Sequence, residues 1–83
     1  MDIIRSEKIG TRYLTLLQWE DTKTYAIQYS NNDDIIENLD GYCRKKDAEK
    51  EFNVLLKRAK ILLKIIKPQY FDFTIRDFIR KWR

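Results

Sequence analysis

The sequence feature that most constrains the fold is the stretch from residue 46 to residue 67, which contains neither glycine nor proline. Its apolar residues recur every three or four positions, a spacing that predicts one long helix. Pro68 follows directly and predicts the end of that helix, because proline lacks the N–H that the next turn needs. The remaining chain must therefore pack against one dominant helix.

This helix has two apolar stripes rather than one. The broad stripe predicts the face that covers the core and comprises Phe52, Leu55, Leu56, Ala59, Leu62, Leu63 and Ile66. A second stripe, formed by Val54, Ile61 and Ile65, lies roughly opposite at about 100° per residue. A helix that covers a sheet needs only one apolar face. The second stripe therefore predicts a further cover, either the C-terminal segment of the same chain, which we favour, or a second copy in a homodimer.

The first half of the chain predicts a small antiparallel sheet. Residues 11–19 and 24–30 are rich in threonine, tyrosine and leucine, and only a short polar turn separates them, as in a β-hairpin. Residues 1–10 give no clear pattern. Within residues 35–44 we favour a third strand at 42–44, after a helical turn; the alternative is one strand with a bend at Asp40 and Gly41.

The C-terminal segment predicts a connector over residues 68–74 and a short helix over residues 75–82. Thr74 and Asp77 resemble a capping box at the start of that helix. The predicted fold is therefore a single small α+β domain over residues 1–83. A β-hairpin or three-stranded antiparallel sheet packs against one long helix, and a short C-terminal helix follows.

The composition excludes several kinds of site. The chain has no histidine and one cysteine, which excludes zinc sites and Ser-His or Cys-His nucleophiles. Two isolated glycines cannot form a phosphate-binding loop. The acidic residues Asp33, Asp34, Glu37 and Asp40 lack the spacing of a calcium loop, so we interpret them as solvated loop charge. We expect a non-enzymatic protein without cofactor or metal.

Cysteine use and hydropathy predict a cytoplasmic protein. The single Cys43 cannot form an intrachain disulfide, as is usual in a reducing compartment, and we expect it to be buried as a small apolar residue. The first ten residues lack the pattern of a signal peptide. The longest apolar run is interrupted by Lys64 and is too short to span a bilayer, so no membrane partner is expected.

Charge is divided unevenly along the chain. Residues 1–43 hold four basic and eight acidic residues, a net charge of −4, whereas residues 44–83 hold thirteen basic and five acidic, a net charge of +8. Such a basic half predicts an anionic partner. The candidate binding residues recur at helical spacing and are Lys57, Lys60, Lys64, Lys67, Arg76, Arg80, Lys81 and Arg83.

Two functions fit these features. Aligned lysines and arginines match a phosphate backbone, and no base-reading motif is present, so the first is binding of DNA or RNA with little sequence selectivity. We expect the strand aromatics to lie in the core rather than to stack on bases. Trp82, flanked by basic residues, is expected to contact a partner together with the second apolar stripe.

The alternative function is that of a small inhibitor or adaptor. It would dock on an acidic protein surface of a host protein or of a nucleoprotein enzyme. In composition the chain resembles the compact proteins of phages and mobile elements, which are rich in lysine and isoleucine. No motif assigns it to a family.

Overall fold

The chain forms a four-stranded antiparallel sheet followed by two helices, as described by a computed structural model for residues 1–32 and 34–82. The elements are β1 (Asp2–Ile9), β2 (Arg12–Gln18), β3 (Tyr25–Ser30), β4 (Ile35–Tyr42), α1 (Lys45–Ile65) and α2 (Pro68–Arg80). The strands lie in chain order, so each pairs with its neighbour in a meander. The α+β class predicted from the sequence is confirmed.

The predicted hairpin corresponds to β2 and β3. Leu16 lies opposite Ile27 and Leu14 lies opposite Tyr29, and these four side chains are buried on the face that the helices cover. The intervening turn includes Lys23, which has a left-handed backbone with φ of 60°. The two strands and their polar turn were predicted correctly, whereas the face of β2 that enters the core was not predicted.

Two further strands flank the hairpin, in segments that the sequence pattern left unassigned or assigned wrongly. Strand β1 occupies residues that were left unassigned. Strand β4 spans Ile35–Tyr42, so the favoured strand at 42–44 is wrong, and the alternative of one strand with a bend at Asp40 and Gly41 is close to correct. The pairing of β3 with β4 is irregular at two points, and Gly41 has φ of 89°. These irregularities interrupt the simple alternation that would identify a strand.

Helix α2 begins earlier than the sequence predicted. Pro68 lies in the first turn of α2, where the backbone N–H has no hydrogen-bond partner within the helix, so its absence costs nothing. The proline therefore both ends α1 and starts α2. The predicted connector over residues 68–74 is therefore helical. Thr74 lies inside the helix and donates its hydroxyl to the carbonyl oxygen of Tyr70 at 2.9 Å, so the predicted capping box is wrong.

Both helices pack on one face of the sheet. Helix α1 contributes Ala48, Phe52, Leu55, Leu56 and Ala59 to the core, and α2 contributes Phe71, Ile75 and Ile79. Burial declines toward the end of α1, and Leu63, predicted on the core face, is 38% exposed. Among the described residues, no helix is both long enough and apolar enough to cross a membrane.

The second apolar stripe of α1 is not covered by this chain. Ile61 is 50% exposed and Ile65 is 72% exposed, while Val54 is half-buried. Helix α2 packs on the sheet beside α1 rather than over this stripe, so the favoured intramolecular cover is wrong. The predicted burial of Cys43 is also wrong, because its thiol lies exposed between β4 and α1.

Candidate nucleic-acid interface

Four of the eight predicted basic residues form a row of exposed lysines, which we call the lysine row: Lys57, Lys60, Lys64 and Lys67. The first three lie on α1, and Lys67 directly precedes α2. Within residues 1–32 and 34–82, none of them makes an ion pair. The row thus presents four uncompensated positive charges to solvent.

The three lysines of the row that belong to α1 lie opposite the core because of helical periodicity. Phe52 and Leu55 fix the inward side of α1, and Lys57 and Lys64, seven residues apart, return to the outward side. Ile61 lies between these two lysines on the same side. We call the exposed surface formed by Lys57, Lys60, Ile61, Lys64 and Ile65 the outer face of α1. It is cationic and partly apolar.

Unlike the lysines of the row, the arginines of α2 form ion pairs with a carboxylate of this chain. Arg76 donates from Nε to Oε1 of Glu37 at 3.3 Å, and Arg80 donates from Nε and Nη2 to the same oxygen at 3.0 and 2.8 Å. Lys81 forms an ion pair with Asp77 at 3.2 Å. The last predicted basic residue, Arg83, lies outside the described residues. The predicted basic residues of α2 therefore belong to ion pairs with this chain.

The role of Glu37 was predicted wrongly from the sequence. It was interpreted as solvated loop charge, but it lies on β4 with its side chain 17% exposed and joins two guanidinium groups. Two positive charges and one negative charge leave this cluster with a net charge of +1. Arg76 and Arg80 follow Glu37 by 39 and 43 positions in the sequence, and no local sequence pattern predicts contacts over such separations.

Trp82, which was expected to contact a partner, is half-buried and held against the core. Its indole N–H donates to a carboxylate oxygen of Glu51, and its ring meets that of Phe78 edge to face with centroids 5.4 Å apart. The guanidinium carbon of Arg58 lies 5.4 Å from the Trp82 ring centroid. These contacts anchor the C-terminal end of α2 to α1, so little of the ring remains for a partner.

The strand aromatics divide between the two sheet faces. Tyr25 and Tyr29 lie on the helix side, and Tyr29 is fully buried, in agreement with the predicted core position. Tyr13 and Trp19 belong to the opposite face and are half-buried, so the predicted core position is wrong for these two residues. Trp19 donates its indole N–H to Oδ1 of Asp40 at 3.1 Å. The face without helices thus holds two aromatic rings, one of them hydrogen-bonded to Asp40 of β4.

The sequence missed an exposed aromatic residue, Phe73, on α2. Its side chain is 76% exposed and lines a groove of about 320 Å³. The groove is lined by Arg12, Tyr29, Asn31, Asp34, Ile36, Asp72, Phe73 and Arg76. Its existence depends on the approach of α2 to the β3–β4 loop, which no sequence pattern indicated.

The base of this groove is an ordered polar cluster. Tyr29 donates its hydroxyl to Oδ1 of Asp72 at 3.2 Å, and Nε of Arg12 lies 3.1 Å from the same oxygen. Burial, and then the adjacent carboxylate of Asp72, raise the pKa of the Tyr29 phenol well above its ordinary value. The phenol therefore keeps its proton to higher pH than an ordinary tyrosine and acts as a hydrogen-bond donor to Asp72.

No metal-binding cluster of histidine, cysteine, aspartate and glutamate occurs in the part of the chain that the structure describes. Of the acidic residues considered as ligands, Asp33 lies outside that part. The chain matches no protein-family model, no curated protein and no solved structure. The surface chemistry of this chain is therefore the basis for assigning a function.

Proposed function

We propose that this protein is a non-enzymatic module that binds nucleic acid with little sequence selectivity through the lysine row. The observation that carries the proposal is the exposure of four lysines without an ion-pair partner among the described residues. Lysine ammonium groups bind phosphates as point charges, and each contact releases counterions from the nucleic acid. The helical spacing of Lys57, Lys60 and Lys64 suits a repeating phosphate backbone.

Nearby carboxylates are engaged elsewhere, which keeps the row positive. Glu49 pairs with Lys45, Asp77 pairs with Lys81, and Asp72 pairs with Arg12. The sequence between Glu51 and Asp72 contains no acidic residue. An approaching polyanion therefore meets little local repulsion on the outer face of α1, while the net charge of −4 over residues 1–43 disfavours the far side.

Low selectivity follows from the chemistry of the row. Ammonium groups on flexible stems contact phosphates without reading base edges, which are the part of a nucleic acid that carries sequence information.

We place the protein in the cytoplasm, since the exposed thiol of Cys43 suits a reducing compartment.

The test is a salt series with labelled single-stranded and duplex DNA and RNA, followed by fluorescence anisotropy. We expect the logarithm of affinity to fall linearly with the logarithm of salt concentration. The double variant Lys57→Glu/Lys64→Glu should weaken binding more than about tenfold at low salt and reduce the salt slope by about 2.

A matched control is the double variant Lys8→Glu/Lys23→Glu, which changes the net charge equally but alters exposed lysines outside the row. It should retain most of the affinity. Binding that is insensitive to salt, or an equal loss in both double variants, would contradict the proposal, because the effect would then not belong to the row.

A second candidate function is docking on an acidic protein surface as an inhibitor or adaptor. The exposure of Ile61 and Ile65 within the outer face of α1 favours it, because apolar side chains add little to phosphate contacts and much to protein contacts. The variant Ile61→Asn/Ile65→Asn separates the two functions. Nucleic-acid affinity that survives this change supports the first function, and loss of binding to an acidic protein surface after it supports the second.

A further inference from the structure

The side chain of Phe73 is exposed to solvent and takes no part in the core that α2 forms with the sheet. Its side chain is 76% exposed, the largest fraction among the large apolar side chains of the described chain. Phe71 and Ile75, two positions to either side, face the core, so the periodicity of α2 turns Phe73 outward. A single exposed apolar residue is ordinary in proteins. What distinguishes Phe73 is that it lies between two arginines of α2 and a groove with a polar lining.

Arg76 and Arg80 lie three and seven positions after Phe73, on the same side of α2. Each guanidinium has five N–H donors; Arg76 bonds to Glu37 through Nε alone, and Arg80 through Nε and Nη2. Most donors thus remain for a ligand. Because Glu37 already orders both side chains, an incoming phosphate would cost less side-chain entropy, and the cluster keeps a net charge of +1.

The groove beside Phe73 has a size and lining suited to one flat ring. Its volume is about 320 Å³, at the small end of ligand sites. Phe73 and Arg76 contribute to its wall, and Asn31 and Asp34 place amide and carboxylate groups in the lining. These groups can hydrogen-bond to the edge of a base that stacks on Phe73. A base paired in a duplex has its faces covered by neighbours and cannot enter.

We infer that the nucleic acid bound by this protein is single-stranded, with one unpaired base stacked on Phe73 and an adjacent phosphate on Arg76 and Arg80. The inference rests on the proposed function and specifies the class of its ligand. Aromatic stacking combined with a cationic track is the usual means of holding single strands without sequence preference. The lysine row supplies further phosphate contacts.

The test compares a labelled single strand with a duplex of the same length. Phe73→Ala should lower single-strand affinity by roughly 5- to 100-fold and leave duplex affinity within about twofold, since stacking requires an unpaired base. Phe73→Trp should retain or increase single-strand affinity. The matched control is Tyr70→Ala, an exposed aromatic residue on the same helix that does not line the groove, and it should bind both ligands as the unaltered protein does.

A strand carrying one 2-aminopurine gives a direct readout of stacking. Its fluorescence should be quenched on binding to the unaltered protein and to Tyr70→Ala, and much less on binding to Phe73→Ala. Equal single-strand and duplex affinities, with no effect of Phe73→Ala, would overturn this inference and leave the proposed function intact. Absence of any salt-sensitive binding would overturn the proposed function itself.

Discussion

Arg80 donates two hydrogen bonds to the same oxygen of Glu37, from Nη2 at 2.8 Å and from Nε at 3.0 Å. This contact joins the last turn of α2 to β4, which is an edge strand of the sheet. Glu37 has its side chain only 17% exposed, so solvent screens the pair less than it would a pair on the open surface. The pair therefore helps to fix α2 over the sheet.

The first prediction concerns the strength of this contact. A double-mutant cycle with Glu37→Gln and Arg80→Gln should give a coupling free energy of about 1 kcal/mol in urea unfolding, the upper part of the range for such pairs. The control cycle uses Lys45 and Glu49, whose charged atoms lie 3.9 Å apart and whose side chains are both about half exposed. Its coupling should stay below about 0.5 kcal/mol. Equal coupling free energies in the two cycles would show that the burial of Glu37 does not strengthen its ion pair with Arg80.

The sequence predicted the elements whose patterns are regular. In β3 the alternation of side-chain types is clear, and α1 combines a continuous apolar face with a proline after it. Strand β2 was predicted from its threonine, tyrosine and leucine content, since both of its faces hold buried residues. Strand β1 is an edge strand in which only Ile9 is fully buried, so its residues carry little apolar alternation. Strand β4 is likewise at an edge and is interrupted by Gly41. Exposed edges and bulges remove the signal that periodicity needs.

The candidate site was predictable only in part, for a related reason. Outward lysines on α1 follow from one helical period, which a sequence displays directly. The pairing of Arg76 and Arg80 with Glu37 depends on how α2 lies over β4, and the exposure of Phe73 depends on the helix that begins at Pro68. Pro68 was interpreted only as the end of α1, so the first turns of α2, and with them Phe73, were assigned to a connector.

The second prediction compares the two glycines. Gly10 has φ of +64°, and a Cβ built on it would lie 2.9 Å from Cε1 of Phe71, whereas Gly41 has φ of +89° and open space around it. Gly41→Ala should cost about 1 kcal/mol from backbone strain alone. Gly10→Ala should cost more, since the buried ring of Phe71 must also shift. Thermal and urea unfolding measure both, and similar losses would mean that the ring moves aside without cost.

The third prediction is a loss of stability at alkaline pH caused by Tyr29. Its pKa is raised in the folded protein, by burial first and by Asp72 second, so the folded state holds this proton more tightly than the unfolded state does. The stabilisation is complete below the unfolded pKa of about 10 and is lost as pH rises above it, at about 1.4 kcal/mol per pH unit. Unfolding in urea at several pH values above 9 measures this loss.

Tyr29→Phe removes the titrating group, so its stability should depend less on pH in this range. At neutral pH it should be about 1 kcal/mol less stable, because the hydrogen bond to Asp72 is lost. Tyr70→Phe is the control, since Tyr70 is largely exposed, and it should follow the unaltered protein. An alkaline loss that is the same in Tyr29→Phe would assign the effect to another group.

The fourth prediction concerns the homodimer that the second apolar stripe of α1 suggests. If two copies meet through Ile61 and Ile65, they bring two lysine rows together, and the repulsion between the rows is screened by salt. We therefore expect association, measured by light scattering, to increase between roughly 20 and 300 mM salt. Nucleic-acid binding should change in the opposite direction, so an oligonucleotide that uses the same face should dissociate the dimer at low salt.

The variant Ile61→Asn/Ile65→Asn should remain monomeric at every salt concentration with little change in stability, because both side chains are largely exposed in the single chain. Ile3→Asn/Ile35→Asn is the matched control, since these isoleucines are 61% and 58% exposed on edge strands of the sheet. It should associate as the unaltered protein does. A protein that stays monomeric throughout the salt series would exclude the homodimer and leave the outer face of α1 to a different partner.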